Sequence, residues 1–495
     1  MTNLVWRRTP VAGAALAVAG FVVMLTPLHL AGALLVALAA AVVGLGDPDC
    51  GLLAILILFP IYPLVARSAT LDFHVTGSSL TIFEAWKEVM LATILAGQLG
   101  RILMRHPDLR AVRLHYVDLV AASFVVIVAI GLAMNPGGLA LNATRLWLFP
   151  IGVYVAVRLS KLTLRRYLEG AAIAAAGIAS FLLIQSDFLG RDFVTHYWGS
   201  ATLPVPYTYT ALSLVGLRGS GTLASPNEAA LVLVAWACML VAAVFVVREW
   251  RRWHALALGI VIVAVTITFS RSGIMGMFAA LAVMAVAAGL SGAFTPRRGL
   301  ALFLITVIAA TTLSVGIYTQ RGGIGLLTGT WLSVSGAADS EAPTGPDAST
   351  TDHLKSLEMA ADLVEHHPVG LGLGNVGARV DPITGTKPEY VIESYYLTVG
   401  ASVGWLGFLW SLLMPLAFAA CAIQALRRRQ RLVGIALLGT SVVVAFVSIL
   451  LPTMAEPQIA MIPWALAAFG VGVLALPAGQ SDAEDAPGEP TLESA

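Results

Sequence analysis

Three arginines stand at the ends of long apolar runs. Arg145 sits in NATRLWLFP, Arg218 in LRGSGTLASPNEAAL just before another run, and Arg271 in TFSRSGIMG between two runs. A charge at a bilayer centre costs about 2.5–3.5 kcal/mol or more. Near the interface it costs less, and a long side chain can snorkel to water or headgroups. Snorkelling accounts for Arg145 as well as ligand binding does. Arg271 is harder to place that way, because its turn is only a few residues long. Arg218 has Gly219 and Gly221 beside it, which would let a ligand approach the backbone. Guanidinium groups converging from separate helices suit a diphosphate, since each can bind oxyanions bidentately.

Carboxylates stand at comparable places. Glu393 opens the run after a long polar insertion, and Glu456 lies in PTMAEPQ. Either is by default a helix-start or interface residue, and either could accept a hydroxyl proton. The insertion gathers His353, Lys355, Glu358, His366 and His367. Arg321, Asn227, Ser270, Ser394 and Tyr395 are further candidates for substrate contact. Glu84, Lys87 and Glu88 share one predicted helix at spacings that favour mutual neutralisation. The string GLGNVG at 372–377 fits G-x-G-x-x-G, but a dinucleotide site needs a strand before it and a helix after it. An amphipathic helix precedes it, so a close-packed turn is the better account. Cys50, Cys238 and Cys421 lie in apolar runs without metal or disulfide spacing, and the histidines lack further zinc ligands. No cofactor or metal is expected.

The elements that must position these residues are apolar. Of the 495 residues 58% are hydrophobic and 12% charged, against about 25% charged in a soluble domain. Net charge is +1, and nothing points to nucleic acid. A bilayer is crossed by about 17–25 apolar residues as a helix. Such runs fall near 11–27, 29–46, 50–66, 82–104, 116–134, 143–160, 167–185, 226–247, 254–269, 272–290, 299–318, 393–423, 431–450 and 458–476. They are too long and uniform for barrel strands. The fold class is an all-α polytopic membrane helix bundle of about 12–14 spans. A second apolar run follows the first at once, so Arg7 and Arg8 precede a retained helix rather than a cleaved signal.

With the N-terminus inside, the inner connections are 104–116, 160–167, 247–254, 290–299 and 423–431, and most of the 29 Lys and Arg residues cluster around them. Short loops rich in Lys and Arg face the cytoplasm. Both termini are therefore expected inside, with the longer segments 67–81, 186–225 and 319–392 outside. The division expected is a membrane bundle over 1–318, an extracytoplasmic loop over 319–392, further helices over 393–478, and an acidic cytoplasmic tail over 479–495 that is disordered by composition. Within the loop, 337–350 is small and polar. Ser349 with Asp352 could form a capping box. An amphipathic helix over 353–367 would put Leu354, Leu357, Ala361 and Val364 on one face, and Pro368 stops it.

These residues, in this order, resemble the O-antigen ligase and polymerase family. The S-R-S-G turn, the G-S-G-T-L-A-S-P-N approach to a helix, the G-L-G-L-G turn and the E-S-Y-Y-L helix start carry the resemblance, from about Arg218 to Gly407. It implies a bacterial plasma-membrane enzyme of the GT-C type whose active site lies on the outer face. Arg218 and Arg271 would bind the diphosphate of a polyprenyl-linked oligosaccharide. A residue in or beside the long loop would deprotonate the acceptor, a glycan or lipid hydroxyl. Family ligases usually have His followed by Asn there. This chain has Glu393-Ser394, so either Glu393 or His353 would take the role, or Glu393 would orient a sugar. Attack opposite the diphosphate would invert the anomeric centre without a metal. Membrane lipids, a chain-length regulator or a flippase are the expected partners. The competing function is a transporter or flippase for an anionic lipid-linked saccharide. Transporters more often show internal repeats and polar residues at mid-membrane, whereas here the polar candidates lie at helix ends.

Overall fold

A computed structural model describes residues 2–105, 114–198, 208–211, 214–217, 219–247, 251–268, 270–293, 348–377 and 388–475. The first half contains α1 (Thr2–Met24), α2 (His29–Gly46), α3 (Pro48–Leu58), α4 (Tyr62–Leu71), α5 (Gly77–Glu84), α6 (Trp86–Arg105), α7 (Tyr116–Met134), α8 (Gly138–Leu159), α9 (Leu164–Ile184) and α10 (Gly190–Trp198). A hairpin follows, β1 (Thr208–Ala211) with β2 (Leu214–Leu217). Then come α11 (Pro226–Val246), α12 (Arg251–Ile267), α13 (Arg271–Leu290) and α14 (Ala348–His366). A short parallel bridge pairs β3 (Val376–Gly377) with β4 (Tyr390–Val391). The chain closes with α15 (Tyr395–Arg427), α16 (Arg431–Val447) and α17 (Pro457–Ala475). It is an all-α polytopic membrane protein.

Every apolar run seen in the sequence falls on a helix except 299–318, which lies outside the described residues, as do 319–347 and the acidic tail. Among the described residues 8 helices are long and apolar enough to cross a membrane, or up to 9 if one bent pair counts as a span. Run length alone suggested more spans because it does not register breaks. The 50–66 run is α3 and α4 bent by 72°, and the apolar parts of α1 and α16 are shorter than a full crossing. The 82–104 run is broken at Ala85, between α5 and α6.

Burial separates centre from perimeter. In the most apolar window of α11, 83% of residues are buried, and 78% in α17, against 33% in α2 and α7. A helix apolar all round belongs in the core. α17 packs on α8, α11, α15 and α16, while α11 packs on α9, α12, α13 and α16. Trp464 of α17 is wedged edge-on between Tyr154 and Phe418. The perimeter shows Leu34, Leu38, Leu119, Val126 and Ile130, as a lipid-facing surface would.

The two ends of the bundle differ. One end has short turns at 46–48, 159–164 and 427–431, the last two with Arg and Lys in or beside them. The other carries the helix breaks. At the break in α15, Val403 and Gly404 leave helical geometry. The freed carbonyls of Ala401 and Ser402 accept from the N–H groups of Leu371 (2.8 Å) and Gly372 (2.9 Å), and Trp405 N–H donates to Pro368 O (3.0 Å). Backbone opened in or near lipid must be paired again, and the segment 368–374 does that. Gly404 has φ 76°, and a Cβ there would lie 2.1 Å from Pro368 O. Gly372 has φ 85°, and its Cβ would meet Asn135 Cβ at 2.6 Å. The glycines at 372–377 thus make a close-packed turn with no strand before them.

α14 begins at Ala348, earlier than the expected 353, and ends before Pro368. It meets α15 and the bridge through Ala360, Leu363 and Val364, packed with Val376, Ile392 and Ala401. Leu354 and Ala361, expected on the apolar face, are exposed, because contact falls along a strip one position away. At the same end α10 is clasped to α4. Asp72 accepts from Tyr197 Oη (2.7 Å) and Ser68 Oγ (2.7 Å) and faces His196 Nε2 (2.8 Å), while Arg67 Nε donates to Tyr197 O (2.7 Å).

Candidate functional site

The end that carries the breaks encloses a cavity of about 270 Å³. Its walls come from elements far apart in sequence: the α3–α4 bend, the α5–α6 break, α8, the first turn of α11, the bridge strand at 376–377, and the start of α17. Such a convergence of helix ends places polar groups without burying a charge at mid-bundle.

One wall is cationic. Breaking the helix at Ala85 turns Lys87 inward, where it is buried. Its ammonium donates to the Glu84 carbonyl (2.8 Å) and lies 3.4 Å from Glu88. It also sits 5.0 Å from the Tyr62 ring centroid and 5.2 Å from that of Phe59, within cation–π range. Arg145 reaches the same Glu88 from α8 at 3.6 Å and stays 38% exposed at its side chain. Glu88 Oε1 is therefore shared by two cations, and Oε2 has no hydrogen-bond partner among the described residues. The neutralisation expected within Glu84, Lys87 and Glu88 takes a particular form: Lys87 holds the Glu84 backbone carbonyl, pairs with its neighbour Glu88 and lies in the field of the Glu84 carboxylate.

Another wall is acidic. Glu228, in the first turn of α11, is buried, and Glu456, just before α17, is half-buried. The Gln458 amide bridges them, donating to Glu228 Oε2 (3.2 Å) and Glu456 Oε2 (3.4 Å). Ser225 caps α11 by accepting from the Glu228 N–H (3.2 Å). A Ser-x-x-Glu spacing reads as a capping box, which hides Glu228 in the sequence as a helix-start residue. Asn142 and Gln458 were likewise missed, and Glu84 and Lys87 were set aside as a mutually neutralising group. The available signal was that Glu84 and Lys87 are ionisable residues inside an apolar run.

Of the residues singled out from sequence, Arg145 and Glu456 line the cavity. Glu393 does not line it, but stands at its edge. Ile392 N–H donates to Gly377 O (3.0 Å), and Gly377 and Thr398 both line the wall. Ser394 caps α15 and donates to Ser448 O (3.3 Å), and Tyr395 N–H donates to the same carbonyl (3.0 Å), so both fix the start of α15. Ser270 caps α13 through Gly273 N–H (3.3 Å). Arg271 opens α13 and His353 lies in α14, with side chains outside the described set. Arg218 and Arg321 lie outside the described residues. Gly219, next to Arg218, donates its N–H to Ile267 O (3.3 Å), which brings that segment beside the turn into α13. Asn227 is half-buried beside Glu228, and Lys355 is exposed on α14. His366 and His367 are exposed. The backbone carbonyl and the carboxylate of Asp362 raise His366 above its ordinary value.

The comparison with known proteins bears on this end of the bundle. Residues 256–412 match the family model of the O-antigen ligases. The chain matches none of the curated proteins. The O-antigen ligase match supports glycan processing of the ligase or polymerase type at a membrane. It takes in α12, α13, α14, the glycine turn, the bridge and the first part of α15. Lys87, Arg145, Glu228 and Glu456 lie outside it. The cavity is thus closed by the O-antigen ligase-like segment through Gly374, Val376, Gly377 and Thr398, over charges supplied by the rest of the chain.

Proposed function

We propose that the chain is a membrane glycosyltransferase. It moves a glycan from a polyprenyl diphosphate to an acceptor hydroxyl at the outer face of the plasma membrane. The observation that carries this reading is the cavity itself. It sets cations beside carboxylates at the end opposite the basic turns, under the segment that resembles O-antigen ligases.

The charges divide the work. Lys87 and Arg145 face three carboxylates, Glu84, Glu228 and Glu456, within the described lining. A diphosphate needs cations in excess, so Arg271 and Arg218 join Lys87 and Arg145 on the leaving group. Developing charge on a departing oxyanion is stabilised most by donors already in place. The carboxylate side suits a sugar, whose hydroxyls donate. Glu456, half-buried and held through Gln458, accepts the proton of the acceptor hydroxyl as its oxygen bonds to the anomeric carbon. The bond from that carbon to the diphosphate oxygen breaks, the polyprenyl diphosphate leaves, and the anomeric centre inverts. Glu393 and His353, at the edge of the glycine turn and on α14, orient the incoming glycan.

The test is transfer by the purified chain in lipid, given a polyprenyl-diphosphate oligosaccharide and an acceptor glycan. Extended or transferred product is expected. Donor binding or translocation without any new glycosidic bond would assign the cavity to transport instead.

A further inference from the structure

A second cavity, of about 260 Å³, lies at the basic end, lined by Asp49, Gln98, Arg101, Ile102, Leu159, Ser160 and Lys161. It is separate from the site above and is built where α3 starts, α6 nears its end and α8 stops. We infer that this cavity is a headgroup site for a phosphoethanolamine lipid.

Gln98 is the unusual wall. It is 4% exposed, and its Nε2 donates to Ala156 O at 2.9 Å, which fixes the amide so that Oε1 is the other atom. Oε1 is buried and has no hydrogen-bond partner among the described residues. A buried acceptor left unpaired costs about 1–3 kcal/mol, so a donor brought within reach of Gln98, which lines the cavity, would be favoured. Asp49 adds a carboxylate, placed by the Lys161 N–H on its Oδ1 (3.1 Å). The C-terminal end of α8 adds the negative pole of a helix. Acceptor oxygen, carboxylate and negative pole together favour an ammonium group that carries N–H donors. Arg101 and Lys161, in the same lining, supply the cations for an adjacent phosphate. The Arg101 Nε donates to Gly97 O (3.3 Å), which sets the direction of its arm.

The occupant also needs acyl chains. Ile102 and Leu159 make the apolar part of the lining, and Leu99 and Leu103 are exposed on α6 beside it. A zwitterionic headgroup with its chains along α6 matches every part of this lining. A trimethylammonium has no N–H for Gln98, and a glycerol headgroup has no charge for Asp49.

The experiment uses the full chain purified in detergent. Retention is measured by native mass spectrometry for phosphatidylethanolamine, phosphatidylcholine and phosphatidylglycerol of identical acyl chains. The expected result is phosphatidylethanolamine retained at least about fivefold better than either other lipid, in line with one charge-assisted hydrogen bond. Gln98→Met and Asp49→Asn should each bring that preference below twofold, Arg101→Ala should weaken all three lipids, and Arg252→Ala should change nothing. If Asp49→Asn does not fold, Gln98→Met alone decides. Equal retention of the three lipids, stronger retention of phosphatidylglycerol, or a preference that survives Gln98→Met would overturn the inference.

Discussion

Two of the charge clusters among the described residues differ in how completely they are paired. At the basic end, Asp118 of α7 accepts from Tyr154 Oη, from Arg158 Nε (3.3 Å) and Nη2 (3.4 Å), and from the His115 N–H (2.8 Å). Both oxygens are used, and α7 is tied to α8. At the cavity end, Lys87 and Arg145 share a single oxygen of Glu88, at 3.4 Å and 3.6 Å, and its Oε2 has no partner among the described residues. A buried charge whose partners are complete is a structural tie. Charges that gather loosely at a cavity are where a substrate can complete the set.

The largest expected effect breaks that contrast from the cavity side. Lys87→Met with Arg145→Ala should lower glycan transfer by about 10²-fold or more, the scale of losing preorganised donors, while the protein still elutes as a folded species. Glu456→Gln should follow, with a loss of about 10²-fold, the low end for a general base. A smaller loss is expected for Glu228→Gln, because Glu228 is buried behind Gln458. Rates of product formation check both.

From the other side, Asp118→Asn should leave transfer within about twofold but lower the thermal midpoint, since unpairing the partly buried Arg158 costs about 1–3 kcal/mol. If it abolishes transfer in folded protein, the two clusters are not distinct in role. Gly372→Ala should destabilise by about 1–3 kcal/mol, because a left-handed φ and contact with Asn135 coincide; thermal unfolding in lipid reads it.

The smallest effect concerns the clasp between α4 and α10. Burial would raise the Asp72 carboxyl, but hydrogen bonds from Ser68, His196 and Tyr197 outweigh it and hold Asp72 below its ordinary value. A carboxyl depressed in the folded state stabilises above its unfolded value and loses that contribution as pH falls through the folded one. Emission from the buried Trp198 should therefore shift on acidification below the ordinary carboxylate range, and Asp72→Asn should show the shift already at neutral pH.

Much of the fold was legible in the sequence. Apolar runs located the helices, because a bilayer imposes length and uniformity on every crossing. The glycine turn was recognised as close-packed, although its role in re-pairing the α15 break was not, since that pairing joins residues 368–372 to residues 401–405 in three dimensions. The site was legible only in part. Arg145 and Glu456 were found because each is a lone charge in an apolar stretch, although α8 starts at Gly138 and so carries Arg145 about two turns inside the helix rather than at its start. Lys87 was not, because its sequence neighbours Glu84 and Glu88 offered it partners, and nothing in the sequence shows that the break at Ala85 turns it toward a cavity. Glu228 was concealed by its place in a helix start, and Gln458 had no signal apart from the carboxylates it joins.

The most direct test places the two clusters in one assay. Transfer from a polyprenyl-diphosphate glycan is measured in lipid for the wild-type chain, for Lys87→Met with Arg145→Ala, and for Asp118→Asn, each confirmed folded. The expected result is product from wild type and Asp118→Asn, and a loss of about 10²-fold or more in the double variant. Undiminished transfer by the double variant would contradict the assignment of the cavity as the catalytic site.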